Sequence, residues 1–320
     1  VVSRLSIISE QFYHALQAKS RFSRLDMSIL WCYNFAYGRR ESFARKIDRA
    51  VVCLRYSAIG NRAAFVKSNI IAKTKERNFG MKIIKVKDYD EMSKVAAQIV
   101  AEEVQNNPEC TLGLATGSTP IGMYDLLSSF CKQKKLSFKN VKTVNLDEYV
   151  GLGENDEQSY VYFMAKHLFD NVDVDRKNTR LPNGKATDLN AECEAYSRLV
   201  RSCPPDLQVL GIGSNGHIGF NEPQTDFASR TRVVNLTENT KKDNSRLFRE
   251  GEHVPEQAIT MGLAEIMQAK KILLLANGAN KAKAVEAMLK GEISPACPAS
   301  VLRLHPDCTV ILDEQAASML

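Results

Sequence analysis

The residues best suited to chemistry lie in three short polar clusters, residues 116–120, 145–149 and 211–223. Each cluster follows directly after an apolar run that is typical of a buried strand. Ligands of open parallel sheets bind beyond the carboxyl ends of the strands. We therefore expect the three clusters to meet in one ligand site.

The first cluster is suited to hold a monophosphate. Gly117 lets the backbone approach an anion closely, while Thr116, Ser118 and Thr119 supply hydroxyl donors. Pro120 suits the first position of a helix, whose N-terminus would then face the anion. No Gly-Lys-Ser/Thr follows, so this is not a Walker loop. An ordinary capped turn would contain the same residue types and stays open as the alternative.

The second cluster contains a pair of adjacent carboxylates, Asp147 and Glu148. Successive side chains of a strand point to opposite sides, so only one of them can enter a common site. That carboxylate could act as a general base. Read alone, the segment would more often be a solvated acidic turn.

The third cluster places His217 among four glycines, and Glu222 follows five residues later. So many glycines indicate tight turns or a close approach to a ligand. A lone histidine is more often structural, but this position favours catalysis, with the carboxylate orienting the imidazole. Residues 211–216 match G-x-G-x-x-G. No helix follows and no acidic residue closes a strand about 20 residues on, so we do not predict a dinucleotide site.

Two cations further along the chain could complete an anion site. Arg246 lies in a polar segment, and Lys281 follows Asn277-Gly278-Ala279-Asn280 at the start of a predicted helix. Each could equally be a solvated surface charge.

The elements that must position these clusters alternate between strands and helices. This order predicts an α/β fold, a doubly wound and mainly parallel sheet with helices on both faces in a Rossmann-like three-layer arrangement. An N-cap at Asp88 starts the first helix. We expect strands at 82–86, 110–115, 141–146, 207–213, 271–276 and 309–313, and helices at about 90–106, 120–134, 157–169, 189–202 and 280–290.

The charge of the chain is concentrated in its first quarter. The net charge is +6, but residues 1–80 hold 15 Lys and Arg against 5 Asp and Glu, a net +10. The remaining residues hold 28 against 32, a net −4. No apolar run reaches the roughly 20 residues of a membrane helix, and no secretory signal is evident. The eight cysteines show no CxxC spacing or zinc-site pattern, which indicates reduced core residues and predicts no metal site.

We predict two parts of the chain, divided at Met81. The chain opens with Val1, and residues 1–80 form a basic extension for which a non-native or disordered segment is the simplest interpretation. Their Arg- and Ser-rich composition leaves an organelle-targeting segment open. Residues 81–320 form the catalytic domain.

Five segments together resemble the glucosamine-6-phosphate deaminase family. They are residues 112–120, 145–152, 213–223, 228–232 and 304–306, and their order and spacing match as well. The resemblance covers roughly residues 81–320. It implies conversion of glucosamine 6-phosphate and water to fructose 6-phosphate and ammonia in amino-sugar catabolism, without a metal or organic cofactor.

The resemblance also implies roles for individual residues. His217, oriented by Glu222 and Asn215, would open the sugar ring, and Asp147 would move a proton between C2 and C1. The loop of Thr116, Gly117, Ser118 and Thr119 would bind the phosphate with Arg246 and Lys281. Residues 236–256 would form a mobile lid that carries Arg246.

Members of this family that are allosterically activated bind N-acetylglucosamine 6-phosphate at a second site. The matching positions here are Thr225, Asp226, Arg232 and Val234. An acidic and an apolar side chain among them disfavour a second phosphate, so we predict an enzyme without this activation.

Two other functions fit parts of the sequence. A 6-phosphogluconolactonase shares the fold, but Tyr149 and the intact Phe-Asn-Glu-Pro segment at 220–223 argue against it. A sugar-phosphate-sensing transcription regulator would explain the basic extension, but residues 1–80 show no clear helix-turn-helix. We expect a small-molecule substrate, no nucleic-acid or membrane partner and a cytoplasmic location, with a homo-oligomer left open.

Overall fold

The computed structural model describes residues 81–245, 248 and 254–320. The predicted extension and Arg246 therefore lie outside the described residues. The described residues form ten strands, which are β1 Met81–Val86, β2 Thr111–Leu114, β3 Lys142–Asn145, β4 Asp147–Tyr149, β5 Thr179–Arg180, β6 Leu207–Leu210, β7 Arg232–Asn235, β8 Gln257–Thr260, β9 Lys271–Ala276 and β10 Cys308–Asp313.

Seven α-helices connect these strands within the described residues. They are α1 Tyr89–Asn106, α2 Ile121–Lys132, α3 Tyr160–His167, α4 Leu189–Ser202, α5 Glu238–Ser245, α6 Leu263–Ile266 and α7 Ala282–Lys290. Short 3₁₀ segments occupy Phe169–Asn171, Arg176–Asn178, Ala279–Lys281 and Pro298–Leu304. The predicted cap is present, because the Asp88 carboxylate accepts a hydrogen bond from Glu91 N–H at 3.0 Å.

The predicted parallel sheet is confirmed. It has seven strands in the order β1-β10-β9-β6-β2-β3-β5, and its strand pairs are parallel. The buried strand β9 shows why helices cover both faces. Ile272 and Leu274 pack into one apolar core with α4 and α7, whereas Leu273 and Leu275 pack into another with α1 and α2. A strand that is apolar on both sides requires such a three-layer fold.

A second, antiparallel sheet was not predicted. Its three short strands have the order β4-β8-β7, with Asp147 opposite Thr260 in the β4–β8 pair. The Asp147–Tyr149 segment is therefore a buried strand, and its interpretation as a solvated acidic turn is wrong. The segment predicted as a lid runs from the end of β7 through α5 to β8.

Six cysteines fall within the described residues and all have free thiols. Cys110, Cys193, Cys297 and Cys308 are buried as predicted, but Cys203 is exposed. No described helix has the length and apolar content needed to cross a membrane.

Candidate active site

The three polar clusters lie at one edge of the large sheet, as the sequence predicts. The first cluster, residues 116–120, follows β2. The second cluster, residues 145–149, begins at the last residue of β3, and the third cluster, residues 211–223, follows β6. These strands are neighbours in the order β6-β2-β3. The chain leaves β2 into a helix on one face, whereas Ile212 and Ile218 after β6 pack in the core of the other face. Such a reversal leaves a crevice at the strand ends where ligands bind.

A close backbone approach joins the second and third clusters. Gly219 has a φ of +58°, and a Cβ atom added there would stand 3.0 Å from Thr260 Oγ1 and 3.4 Å from Asp147 Oδ2. Thr260 also accepts a hydrogen bond from Phe220 N–H at 3.1 Å. Glycine is needed at this position because it adopts the left-handed conformation easily and has no side chain. The third cluster, residues 211–223, is the histidine loop, and this glycine lets it lie against the Asp147 carboxyl group.

The two adjacent carboxyl groups diverge, as the alternation of a strand predicts. The Glu148 carboxylate accepts hydrogen bonds from Tyr149 N–H at 2.8 Å, Tyr160 N–H at 2.9 Å and Val161 N–H at 2.8 Å. Two of these donors belong to the first turn of α3, so Glu148 satisfies a helix N-terminus. Asp147 is left as the carboxyl group that faces the histidine loop.

Burial makes Asp147 a weak acid. Its side chain lies in the interior beside Glu148, and desolvation first, with repulsion from Glu148 second, raises its pKa to about 8. A general acid–base group works best when its pKa is near the operating pH. The carboxyl group can therefore both release and take up a proton near neutral pH.

His217 has the carboxylate partner that its position suggests. His217 Nδ1 lies 3.6 Å from Glu222 Oε1, the distance of an ion pair and not of a hydrogen bond. Asn215 Nδ2 donates to Glu222 Oε2 at 2.7 Å, and Asn215 Oδ1 accepts from His217 N–H at 3.2 Å. The loop leaves room for the ring only because residue 213 is glycine, since a Cβ there would fall 2.2 Å from the ring. Asn215, His217 and Glu222 thus form one unit.

Glu222 is held in its charged form. Burial alone would raise its pKa, but the neighbouring His217, together with donors from Thr240 and Asn215, lowers the pKa to about 2. Thr240 comes from α5, so the lid segment contacts this unit directly. No sequence pattern singled out Thr240, because a threonine in a polar helix carries no sign of its long-range partner.

The lid segment, residues 236–256, also contacts the aromatic side chain of Tyr149 beside the site. Asn244 Nδ2 donates to the Tyr149 hydroxyl at 2.9 Å, and the Phe248 ring packs edge-on against Tyr149 with 5.8 Å between the ring centroids. Phe220 of the histidine loop contacts the same tyrosine at 5.7 Å. Tyr149 therefore links β4, the lid segment and the third cluster.

The first cluster has the backbone of an anion loop. Gly117 adopts a φ of +90°, and Pro120, at the N-cap of α2, offers this helix end no side-chain acceptor. Tyr89 fixes the loop by donating to Ser118 O at 3.1 Å and accepting from Gly122 N–H at 2.9 Å. Tyr89 takes up the Gly122 N–H, and the remaining N–H groups of this helix end, beside the hydroxyl groups of the cluster, favour an anion.

Lys281 is brought to the same edge by a turn that the first cluster contacts. Thr119 Oγ1 donates to Asn277 Oδ1 at 2.9 Å. The Asp313 carboxylate, buried at the end of β10, accepts from Gly278 N–H at 2.9 and 3.1 Å and so fixes the turn. Lys281 stands at the N-terminus of α7 directly after it. The sequence suggested Lys281 but not Asn277, whose role depends on a contact 158 residues away.

Metal coordination has no evident place in the described part of the chain. No three His, Cys, Asp or Glu side chains converge there in a way that could hold a metal ion.

Comparison with known proteins gives a consistent result over the described region. A model of the family described as glucosamine-6-phosphate isomerases/6-phosphogluconolactonase matches residues 87–311. A glucosamine-6-phosphate deaminase of Thermoanaerobacter pseudethanolicus is 50% identical over 241 residues, covering 75% of this chain and 95% of that protein. A protein of the same name from Shouchella clausii is 51% identical over 240 residues, covering 75% and 97%.

Solved structures extend this comparison. A monomeric glucosamine-6-phosphate deaminase superposes with a TM-score of 0.73 at 47% identity, covering 75% of this chain and 100% of that chain. A 6-phosphogluconolactonase from Trypanosoma cruzi superposes with a TM-score of 0.61 at 19% identity, covering 76% and 97%. At that identity the second comparison shows a shared fold only.

Proposed function

The chain belongs to the family of glucosamine-6-phosphate isomerases and 6-phosphogluconolactonases, and we propose that it converts glucosamine 6-phosphate and water to fructose 6-phosphate and ammonia. One observation carries the proposal within this family. A buried carboxyl group with a pKa raised to about 8 faces the loop that holds an imidazole–carboxylate pair. A reaction that first opens a sugar ring and then moves a carbon-bound proton needs both groups.

Ring opening is assigned to His217. Its imidazole takes the proton of the anomeric hydroxyl and delivers a proton to the ring oxygen, which leaves an open-chain aldehyde. The Glu222 carboxylate stabilises the imidazolium that forms in between, from 3.6 Å, and Asn215 orients that carboxylate.

Proton transfer is assigned to Asp147. Its carboxylate removes the proton from C2 to give an enolamine and then returns a proton to C1. O1 gains a proton as the enolamine forms, and the amino group loses one as C1 is protonated, which leaves an imine at C2. The imine carbon takes up water and releases ammonia, so the atoms balance. A single carboxyl group can serve both carbons because they are adjacent on one face of the substrate.

Phosphate binding positions the reacting carbons against Asp147. The backbone and hydroxyl groups of the first cluster, at the N-terminus of α2, would surround the phosphate oxygens. The residues assigned to this task are Thr116, Gly117, Ser118, Thr119, Lys281 and Arg246, the last of which lies outside the described residues.

The segment 236–256 is proposed to close over the bound substrate as a lid. Support comes from its hydrogen bonds to Glu222, the partner of His217, and to Tyr149, which lies in the same strand as Asp147. Closure would exclude water from the enolamine until C1 is protonated.

We further propose that the enzyme is not activated by N-acetylglucosamine 6-phosphate. The Arg232 guanidinium donates to Asn221 Oδ1 at 3.0 Å and to Thr225 Oγ1 at 3.5 Å, and Asp226 accepts from Ala228 N–H at 2.9 Å. These groups, together with the apolar Val234, offer little to a second phosphate. A cytoplasmic location stays a prediction, and so does any homo-oligomer.

A direct assay separates this function from its nearest rival. The purified full chain is incubated with glucosamine 6-phosphate, and ammonia and fructose 6-phosphate are measured together. Equal amounts of both products are expected, with hyperbolic kinetics that N-acetylglucosamine 6-phosphate does not change. Hydrolysis of 6-phosphogluconolactone without ammonia release from the amino sugar would overturn the proposal.

A further inference from the structure

One oxygen of Glu222 is shared between the imidazole and the lid segment. Glu222 Oε1 lies 3.6 Å from His217 Nδ1 and accepts a hydrogen bond from the hydroxyl group of Thr240 in α5. The other oxygen accepts from Asn215 at 2.7 Å. Thr240 is 4% exposed, so water cannot readily replace its hydroxyl group. Both oxygens of the carboxylate are thus fixed, one by the histidine loop and one by α5.

A second threonine supports this hydrogen bond. Thr237 Oγ1 accepts from Thr240 N–H at 3.2 Å, and its own hydroxyl group donates either to Thr240 Oγ1 at 3.1 Å or to Glu222 Oε1 at 3.4 Å. When Thr237 donates to Thr240, which is the nearer acceptor, the Thr240 proton points to Glu222. Hydroxyl groups aligned in a chain polarise one another, which strengthens the bond to the carboxylate.

His217 Nδ1 depends on where this carboxylate lies. Nδ1 is buried and has no hydrogen-bond partner among the described residues, and Glu222 Oε1 is the carboxylate oxygen that faces it as an ion pair. A rotation of the Glu222 side chain would therefore change how well the imidazolium is stabilised. Lys241 of the same helix does not pair with Glu222, since it pairs with Glu238 and Glu256.

We propose that Thr240 is a positioning residue that couples the seating of α5 to ring opening by holding the Glu222 carboxylate against His217. The inference rests on the proposed function of the site. When α5 is seated, Thr240 fixes Oε1; when α5 leaves, the carboxylate loses this donor and the imidazole loses its oriented partner. The lid segment would then activate the site as well as cover it.

The test compares two substitutions at one position in the full chain. Thr240→Val keeps the shape of the side chain but removes the hydroxyl group, whereas Thr240→Ser keeps the donor. A hydrogen bond to a charged group contributes enough that Thr240→Val is expected to lower kcat roughly 10- to 100-fold with little change in KM. Thr240→Ser is expected to retain most of the activity. Equal kcat values for wild type and a folded Thr240→Val protein would overturn the inference.

A double-mutant cycle distinguishes positioning from general support of the lid segment. In a Glu222→Ala background the acceptor is absent, so adding Thr240→Val should cost less than about twofold more. Full additivity of the two substitutions would contradict the inference.

The matched control is Lys241→Met, which removes two ion pairs of α5 without touching Glu222. Its effect on kcat should be the same with and without Glu222→Ala, whereas the effect of Thr240→Val should disappear. A failure of the proposed function would be visible separately, because the wild-type protein would then release no ammonia.

Discussion

The neighbouring carboxyl groups of Glu148 and Asp147 have different roles, because Glu148 accepts hydrogen bonds from the N-terminus of a helix and Asp147 does not. Glu148 is satisfied by three backbone N–H groups, and these partly offset the burial that raises its pKa to about 7. Asp147 accepts no such hydrogen bond within the described residues, and burial raises its pKa to about 8. A buried carboxyl group without compensating donors stays protonated to higher pH.

The raised pKa of Asp147 predicts a pH-dependent stability. In the folded state Asp147 keeps its proton up to about pH 8, whereas in the unfolded chain it ionises from about 3.8. The unfolded state therefore binds fewer protons across this range, and Asp147 lowers the free energy of unfolding as the pH rises through it. Asp147→Asn cannot ionise, so its stability relative to wild type should improve by up to about 1.4 kcal/mol per pH unit.

Urea denaturation of both proteins between about pH 5 and about pH 8 measures this difference. Titrating groups remote from this carboxyl pair act alike in both proteins, so the difference between the two curves reports on Asp147 and its repulsion with Glu148. Two stability curves that run parallel with pH would contradict the account.

At the scale of the elements, the sequence predicts the large sheet but not the small one. The predicted strands of the large sheet lie in locally visible patterns such as the apolar run Lys271–Ala276. The seventh strand, β5, consists of the two polar residues Thr179 and Arg180 and was not predicted. The strands β4, β7 and β8 have three or four residues each, and they become strands only by pairing with segments far along the chain. Local periodicity cannot reveal such pairing.

The candidate site divides in the same way. Asp147, His217 and Glu222 were predicted because their residue types and glycine-rich surroundings are unusual. Thr240 and Asn277 act through contacts with residues 18 and 158 positions away. Their chemistry is common in polar surface segments, so nothing distinguishes them before the chain is folded.

The approach of the histidine loop to β4 gives a prediction about two glycines. Gly219→Ala places a Cβ at a φ of +58° and 3.0 Å from Thr260 Oγ1, so it should lower the free energy of unfolding by about 1–2 kcal/mol and reduce kcat. Gly211→Ala is the matched control in the same loop, because a Cβ there meets no atom within 4 Å. Denaturation and ammonia release of both variants measure the contrast; equal effects would contradict the role given to Gly219.

At the scale of the whole molecule, the net charge says little about the site. The excess of positive charge lies in residues 1–80, and residues 81–320 carry a net −4. The two related deaminases align over 95% and 97% of their own lengths, and each alignment takes up 75% of this chain. In the proposed site an anionic substrate would be met by a few placed groups and not by a basic surface.

A version of the protein that begins at Met81 should therefore have the same kcat and KM as the full chain. Strand β1 begins at Met81, and all the residues assigned to the site follow it. Ammonia release by both versions is the measurement, and intact mass of the protein from its native source shows which form exists. A shorter version that is folded but inactive would refute this, and salt-sensitive binding of the full chain alone to duplex DNA would favour the regulator.

The role of Asp147 is the central claim, and one measurement tests it most directly. Ammonia release from glucosamine 6-phosphate is compared between wild type and Asp147→Asn, after denaturation has shown that both are folded. Because the amide cannot accept the C2 proton, kcat should fall by about 10²- to 10⁴-fold while KM stays near the wild-type value. Unchanged turnover in a folded Asp147→Asn protein would contradict the account.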